Sequence, residues 1–244
     1  MRPELLVLAV VVGVALATMP IFAIGAARRR DDPLESPTRG KFVLGSFARS
    51  WFYWFVRPLE RASLALGLSP LAYNLLGFLF GAVSGSLFAL GHFASAGWAL
   101  LLSGVADALD GRIARARGLA SPRGAFLDST IDRFAEVAAF VGLAVAFRDS
   151  GFALATITAA LGGSLLVSYT RARGESQGVL CTLGIMQRAE RLLLIGFGAI
   201  LDGGGSALLG RPPGTFLLGI LILTAVGTVG TAVFRTVWIA RRLE

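Results

Sequence analysis

Residues 71–106 read LAYNLLGFLFGAVSGSLFALGHFASAGWALLLSGVA, and no Asp, Glu, Lys or Arg interrupts them. A bilayer core about 30 Å thick needs roughly 20 residues of apolar helix. The stretch is long enough for two spans, with Gly91 and His92 marking the turn between them. Working outward, residues 5–27 and 152–169 are also free of charge, and 124–147 and 215–238 are mainly apolar. A weaker segment around 192–200 is blurred by Gly196, Gly198 and the run Gly203, Gly204, Gly205. With 71–90 and 96–114 these make seven candidate spans, and the expected fold is an all-α polytopic membrane protein.

Composition agrees. The 244 residues are 55% hydrophobic and 16% charged, against about 25% charged in soluble domains. Disorder is excluded, because disordered chains are charge-rich and apolar-poor. A water-soluble fold is disfavoured, because too few polar residues remain to cover its surface. The single Cys181 excludes a disulfide framework and a Cys-based zinc site. The single His92, beside Gly91 in an apparent turn, excludes multi-His metal sites. Any chemistry must come from carboxylates, arginines and a metal.

The net charge is +8. With alternating spans and Arg28, Arg29 and Arg30 on the cytoplasmic side, only Arg2, Arg148 and Arg211 of 23 Lys and Arg fall on the far side. That bias follows the positive-inside rule, and it places the N-terminus outside and the C-terminus inside. The surplus charge therefore reads as membrane orientation, not as a nucleic-acid surface. Residues 1–27 read as a transmembrane anchor, although Arg2 and the small residues Ala23, Gly25 and Ala26 also suit a cleaved signal peptide. Residues 28–45, with Asp31, Asp32, Pro33, Ser36 and Pro37, read as a cytoplasmic linker. Next, Phe47, Trp51, Phe52, Trp54 and Phe55 mix with Arg49, Arg57 and Arg61, the mark of an amphipathic helix lying in the interface. It serves as an anchor or as part of the access route for a lipid substrate.

The apolar rule breaks at residues 107–132, which read DALDGRIARARGLASPRGAFLDSTID. A carboxylate in hydrocarbon costs several kcal/mol unless paired or solvated, so Asp107, Asp110, Asp128 and Asp132 mark a functional site. Asp107, Asp110, Gly111 and Ala114 share one helix face, and Asp128 and Asp132 share another. A short loop at 117–123 lets the two acidic faces meet. Four carboxylates cannot all ionise together in a low-dielectric pocket without cations. Without His or Cys, oxygen-loving Mg²⁺ or Mn²⁺ is the natural choice, and two ions suit phosphate chemistry. Gly111, Ala114 and Gly124 leave space for a ligand, and Arg115 can meet a phosphate or one of the acids. The competing reading is a buried charge network that only fixes helix packing.

A second charged region holds Arg171, Arg173 and Glu175, then Gln187, Arg188, Glu190 and Arg191. Arginines at two helix ends make an anion site or, equally, ordinary flanking charge with salt bridges.

The pattern D-x2-D-G-x2-A-R-x8-G-x3-D-x3-D, running from Asp107 to Asp132, resembles the signature of the CDP-alcohol phosphotransferases at every fixed position. The likeness extends over 51–241. It implies a six-helix bundle in residues 46–244 with the interfacial helix, and makes the first span an addition. It further implies a metal-dependent phosphatidyltransferase of phospholipid biosynthesis that releases CMP. Asp107, Asp110, Asp128 and Asp132 would hold metal, and Asp132 would also be the general base. Asn74, Asp107, Gly111, Ala114, Arg115 and Gly124 would hold the CDP moiety. Asn74 stands where the family often has Thr, in Pro70-Leu71-Ala72-Tyr73-Asn74.

Ser168-Tyr169-Thr170-Arg171-Ala172-Arg173-Gly174-Glu175 and Gln187-Arg188-Ala189-Glu190-Arg191 look like the acceptor region of phosphatidylinositol-phosphate and archaetidylinositol-phosphate synthases. Gln187 and Gly174 replace the usual Glu and Ala. This branch implies CDP-diacylglycerol as donor and inositol 1-phosphate (1D-myo-inositol 3-phosphate) as acceptor, with Arg171, Arg173 and Arg191 on the acceptor phosphate. Glycerol 3-phosphate and free inositol are alternative acceptors. The family also implies a homodimer in the cell (inner) membrane, with the site facing the cytoplasm. Outside the enzyme class, a transporter or a silent lipid-binding relative are the rivals. No related pair of halves, which many transporters show, is visible.

Overall fold

The computed structural model describes residues 3–26 and 45–243. The anchor's arginine flank (Arg28, Arg29 and Arg30), Arg2 and the linker through residue 44 lie outside the described residues. Eight helices follow in order: α1 (Pro3–Ala26), α2 (Gly45–Ala65), α3 (Pro70–Ala89), α4 (Phe93–Ala116), α5 (Pro122–Ala146), α6 (Gly151–Ser176), α7 (Arg188–Leu208) and α8 (Thr215–Ala240). No strand occurs among the described residues.

Local chemistry explains the boundaries. Ser69 and Ser121 each precede a proline at the first helical position, and their hydroxyls accept from Ala72 N and Gly124 N at 3.1 Å. Proline there loses no helical hydrogen bond, and the serine satisfies one orphan N–H. Between α4 and α5, Gly118 takes a φ of 65°, the left-handed conformation that closes a helix and favours glycine.

Among the described residues, four helices are long and apolar enough to cross a membrane: α3, α6, α7 and α8. α4 and α5 have 24 and 25 residues, long enough to span, but they carry the acidic stretch. Outward faces are greasy, with Leu75, Leu79 and Val83 on α3 and Leu223, Val226 and Val233 on α8 exposed. A core of Phe88, Leu100, Phe140, Leu143, Ile157, Ile195, Leu217 and Leu221 ties the bundle together.

Small residues set the helix spacing. A Cβ at Gly85 would collide with the Ala138 carbonyl, and one at Gly142 with the backbone of Gly85. α3 and α5 therefore touch backbone to backbone. This is how helices gain dispersion energy in lipid, where apolar burial offers no drive.

Of the glycines that blur the sixth span, Gly196, Gly198 and Gly205 are contact residues, not helix ends. α7 runs through them to Leu208, because a Cβ at Gly198 would meet Ile220 and one at Gly205 would meet Phe216. Further along, buried Asp202 accepts from Gly214 N at 2.7 Å, Leu217 N at 3.0 Å and Ser206 Oγ at 3.0 Å. It caps the start of α8, whose first N–H groups have no helical partner.

The aromatic and basic segment is α2. It buries Tyr53, Val56, Glu60 and Ser63, spaced by three and four, while Arg57, Leu59 and Arg61 stay exposed. Glu60 pairs with Arg112 of α4 at 2.6 Å, and that guanidinium lies 4.7 Å from the Tyr53 ring centre. Ser63 and Tyr73 share a 2.5 Å hydrogen bond. These contacts lock α2 beside the acidic end of α4.

Candidate active site

α4 delivers Asp107, Asp110, Gly111, Ala114 and Arg115 at its last turns. α5 delivers Gly124, Asp128 and Asp132 at its first turns, and α3 brings Asn74. Carboxylate oxygens of Asp107, Asp110 and Asp128 all lie within 4.8 Å of one another. Asp110 is buried, and one of its oxygens receives the Gly111 N–H. With its amide nitrogen turned toward the acids, Asn74 donates to Asp128 Oδ1 at 3.1 Å and to Asp110 Oδ2. An all-oxygen donor set at this spacing fits a hard divalent cation.

Asp132 stands beside this group, attached to a different partner. Arg188 Nη1 lies 2.7 Å from Asp132 Oδ2 and 2.7 Å from Asp107 Oδ2. The first residue of α7 thus bridges the acids of α4 and α5. Sequence reading placed Arg188 among several basic residues without singling it out. Its signal was its place at a helix start.

Glu136 was also missed. It lies one turn past Asp132, and it accepts from Arg133 at 2.6 Å, Ser164 at 2.5 Å and Arg191 Nε at 2.9 Å. These bonds join α5, α6 and α7 directly behind the aspartates. The i, i+4 series 128, 132, 136 is the signal that could have revealed it.

The expected nucleotide residues gather at the same end. Gly111 is half-buried, and the nearest atom to a Cβ built there is Arg115 Nη1 at 3.2 Å. Glycine at this position lets Arg115 fold back toward Asp110's turn. Gly124 lies in the first turn of α5, its N–H on Ser121, and Ala114 is half-buried.

The three arginines expected together differ in environment. Arg171 is half-buried and pairs with Glu175 at 3.2 Å, and Arg173 is exposed near the end of α6. Arg191 is buried, with Nε on Glu136 and Nη1 on the Met186 carbonyl at 3.1 Å. A fourth, Arg235 of α8, is buried and donates to the carbonyls of Leu183 at 2.7 Å and Val167 at 2.8 Å. It lies within electrostatic reach of Arg171 and Arg191. Nothing nearby in sequence marks Arg235, which sits alone in an apolar helix.

A helical membrane bundle whose facing aspartates can hold a divalent cation beside a set of arginines defines a class of membrane enzyme acting on phosphates. The chain belongs to the CDP-alcohol phosphatidyltransferase family, whose model matches residues 63–240. It is 35% identical over 215 residues to the phosphatidylinositol phosphate synthase of Streptomyces avermitilis, covering 84% of this chain and 86% of that protein. It is 36% identical over 173 residues to the archaetidylinositol phosphate synthase of Methanothermobacter thermautotrophicus, covering 70% and 83%. The fold resembles crystal structures of Mycobacterium tuberculosis phosphatidylinositol phosphate synthase. The complex with manganese and citrate has a TM-score of 0.66 at 29% identity, covering 75% of this chain and 88% of that one. The form with CDP-DAG bound has a TM-score of 0.64, covering 75% and 92%.

Proposed function

We propose that the protein transfers a phosphatidyl group from CDP-diacylglycerol to an inositol phosphate and releases CMP. The carrying observation is the convergence of Asp107, Asp110 and Asp128 with Asp132 beside them. Family membership and the inositol-phosphate relatives support the same chemistry.

Asp107, Asp110 and Asp128 would hold the divalent ions, two Mg²⁺ or Mn²⁺, with Asp132 at their edge. A divalent ion bound there offsets charge on the bridging phosphates and on the departing CMP. The remaining work falls to this chain's own groups. Asn74, Gly111, Ala114, Arg115 and Gly124 hold the CDP moiety. Arg171, Arg173 and Arg191 orient the acceptor's phosphate, a task suited to the planar guanidinium. The Asp132 carboxylate takes the proton of the acceptor hydroxyl as its oxygen bonds to the lipid-bearing phosphorus. The bond from that phosphorus to the CMP oxygen breaks, and CMP leaves with the electron pair. Glu136 carries no proton in this scheme; it holds Arg191 in place.

The asymmetric spread of basic residues favours a cytoplasmic-facing site in the inner membrane. A homodimer is the expected assembly, and α2 would lie in the interface beside the substrate lipid.

The test is a membrane assay with labelled CDP-diacylglycerol and a panel of acceptors. CMP release with inositol 1-phosphate is expected. Release with glycerol 3-phosphate or free inositol, and none with inositol phosphate, would overturn the acceptor.

A further inference from the structure

We infer that Arg188 is a built-in counter-cation of the aspartate cluster, one that competes with divalent metal for Asp107 and so links metal loading to its own position. The inference rests on the reading of Asp107, Asp110 and Asp128 as metal ligands.

Asp107 has two roles. Its carboxylate belongs to the three-acid group that can hold a cation, and its Oδ2 also lies 2.7 Å from Arg188 Nη1. The same nitrogen lies 2.7 Å from Asp132 Oδ2. One guanidinium thus offsets charge shared by two of the four aspartates.

The manner of contact separates Arg188 from the structural ion pairs nearby. Arg112 gives Glu60 an aligned Nε hydrogen bond of 2.6 Å, and Arg191 gives Glu136 one of 2.9 Å. Arg188 is 16% exposed, yet its Nε and Nη1 are buried with no aligned hydrogen bond among the described residues. Its hold on the acids is attraction between charges, without the directional bonds that fix a permanent bridge. An Nε without a partner is also a donor still available. A contact of this kind is exchanged when a stronger cation arrives.

Two consequences follow from the charges. A guanidinium beside the site repels a divalent ion and occupies one of its oxygens, so it weakens metal binding to the substrate-free protein. The linkage is reciprocal: whatever draws Arg188 away raises metal affinity, and metal drives Arg188 away by the same factor. A phosphate-bearing substrate offers Arg188 a new anion. Metal and the CDP-lipid therefore bind cooperatively, and the free enzyme holds metal weakly.

The measurement is Mn²⁺ binding to the purified, substrate-free protein, read by electron paramagnetic resonance of the free ion. R188Q should bind Mn²⁺ about tenfold more tightly than the unaltered protein. R188K, which keeps the charge, should stay within about threefold. CDP-diacylglycerol should tighten Mn²⁺ binding in the unaltered protein and do so less in R188Q. Unchanged or weaker binding in R188Q overturns the inference, because a purely structural Arg188 would scatter the aspartates when removed. Absence of saturable Mn²⁺ binding in R188Q and in the unaltered protein with CDP-diacylglycerol present would instead overturn the metal reading itself. A structure of the unaltered protein with Mn²⁺ gives a second readout that needs no variant. Arg188 should have left Asp107; an ion on Asp107 with Arg188 still at 2.7 Å overturns the exchange.

Discussion

Asp110 and Asp202 are both buried aspartates, 4% and 1% exposed, and they live by opposite rules. Asp202, near the far end of α7, is surrounded by donors: the Gly214 N–H of the α7–α8 turn, the Leu217 N–H of α8 and the Ser206 hydroxyl. Ser206 in turn accepts from Phe216 N at 3.0 Å. That carboxylate is satisfied by the chain alone, and its task is to cap α8. Asp110 is surrounded by other acids, with Asn74 and the Gly111 N–H as its donors. Asp202 lies 14 residues beyond Arg188 on the same helix, about 21 Å along its axis. Burial alone therefore does not mark a catalytic acid. The mark is burial among like charges, which a bound metal ion or a proton relieves.

The largest expected effect breaks the acidic end. Asp110→Asn should remove Mn²⁺ binding and cut CMP release at least ~10³-fold, since bound metal supplies several kcal/mol of charge stabilisation. Helicity by circular dichroism should be unchanged. CMP release within tenfold of the unaltered enzyme would remove Asp110 from the metal site. Asp132→Asn should lower turnover by about 10²–10⁴-fold, the range of a lost general base, with CDP-diacylglycerol binding largely intact. Retained turnover would assign the proton to another group.

The opposite substitutions should affect stability. Arg112→Ala strands buried Glu60, and losing one partner of a buried pair costs about 3–5 kcal/mol. Denaturant unfolding in detergent would measure it, and a loss below ~1 kcal/mol would mean the α2–α4 latch is dispensable. Smallest of all, Asp202→Asn should cost about 1–3 kcal/mol by leaving a backbone donor of α8 unsatisfied. CMP release per folded molecule should be unchanged. If Asp202→Asn instead abolished release while leaving stability intact, the contrast between the two aspartates would fail.

The acidic half of this contrast is legible in the sequence. Long apolar runs mark the spans because a helix must cover the hydrocarbon with apolar residues. Asp107, Asp110, Asp128 and Asp132 stood out because acids are costly there and because helical spacing put each pair on one face. The sequence pattern suggests a shorter α7, since glycine weakens an isolated helix, whereas Gly198 and Gly205 serve contacts with Ile220 and Phe216. Arg188, Glu136 and Arg235 were harder. Which arginine meets which acid depends on contacts between helices far apart in sequence, such as Arg191 on Glu136. No local pattern carries that information. Asp202 drew no notice because its donors come from the following turn and helix.

If the facing aspartates hold metal for phosphatidyl transfer, removing that metal must stop the reaction. CMP release from CDP-diacylglycerol with inositol 1-phosphate, followed after chelation and after adding back Mg²⁺ or Mn²⁺, measures this directly. Silence after chelation, recovery with either ion, and no recovery in Asp110→Asn are expected. CMP release that persists through chelation, or that returns in Asp110→Asn, would contradict the metal role of the aspartates.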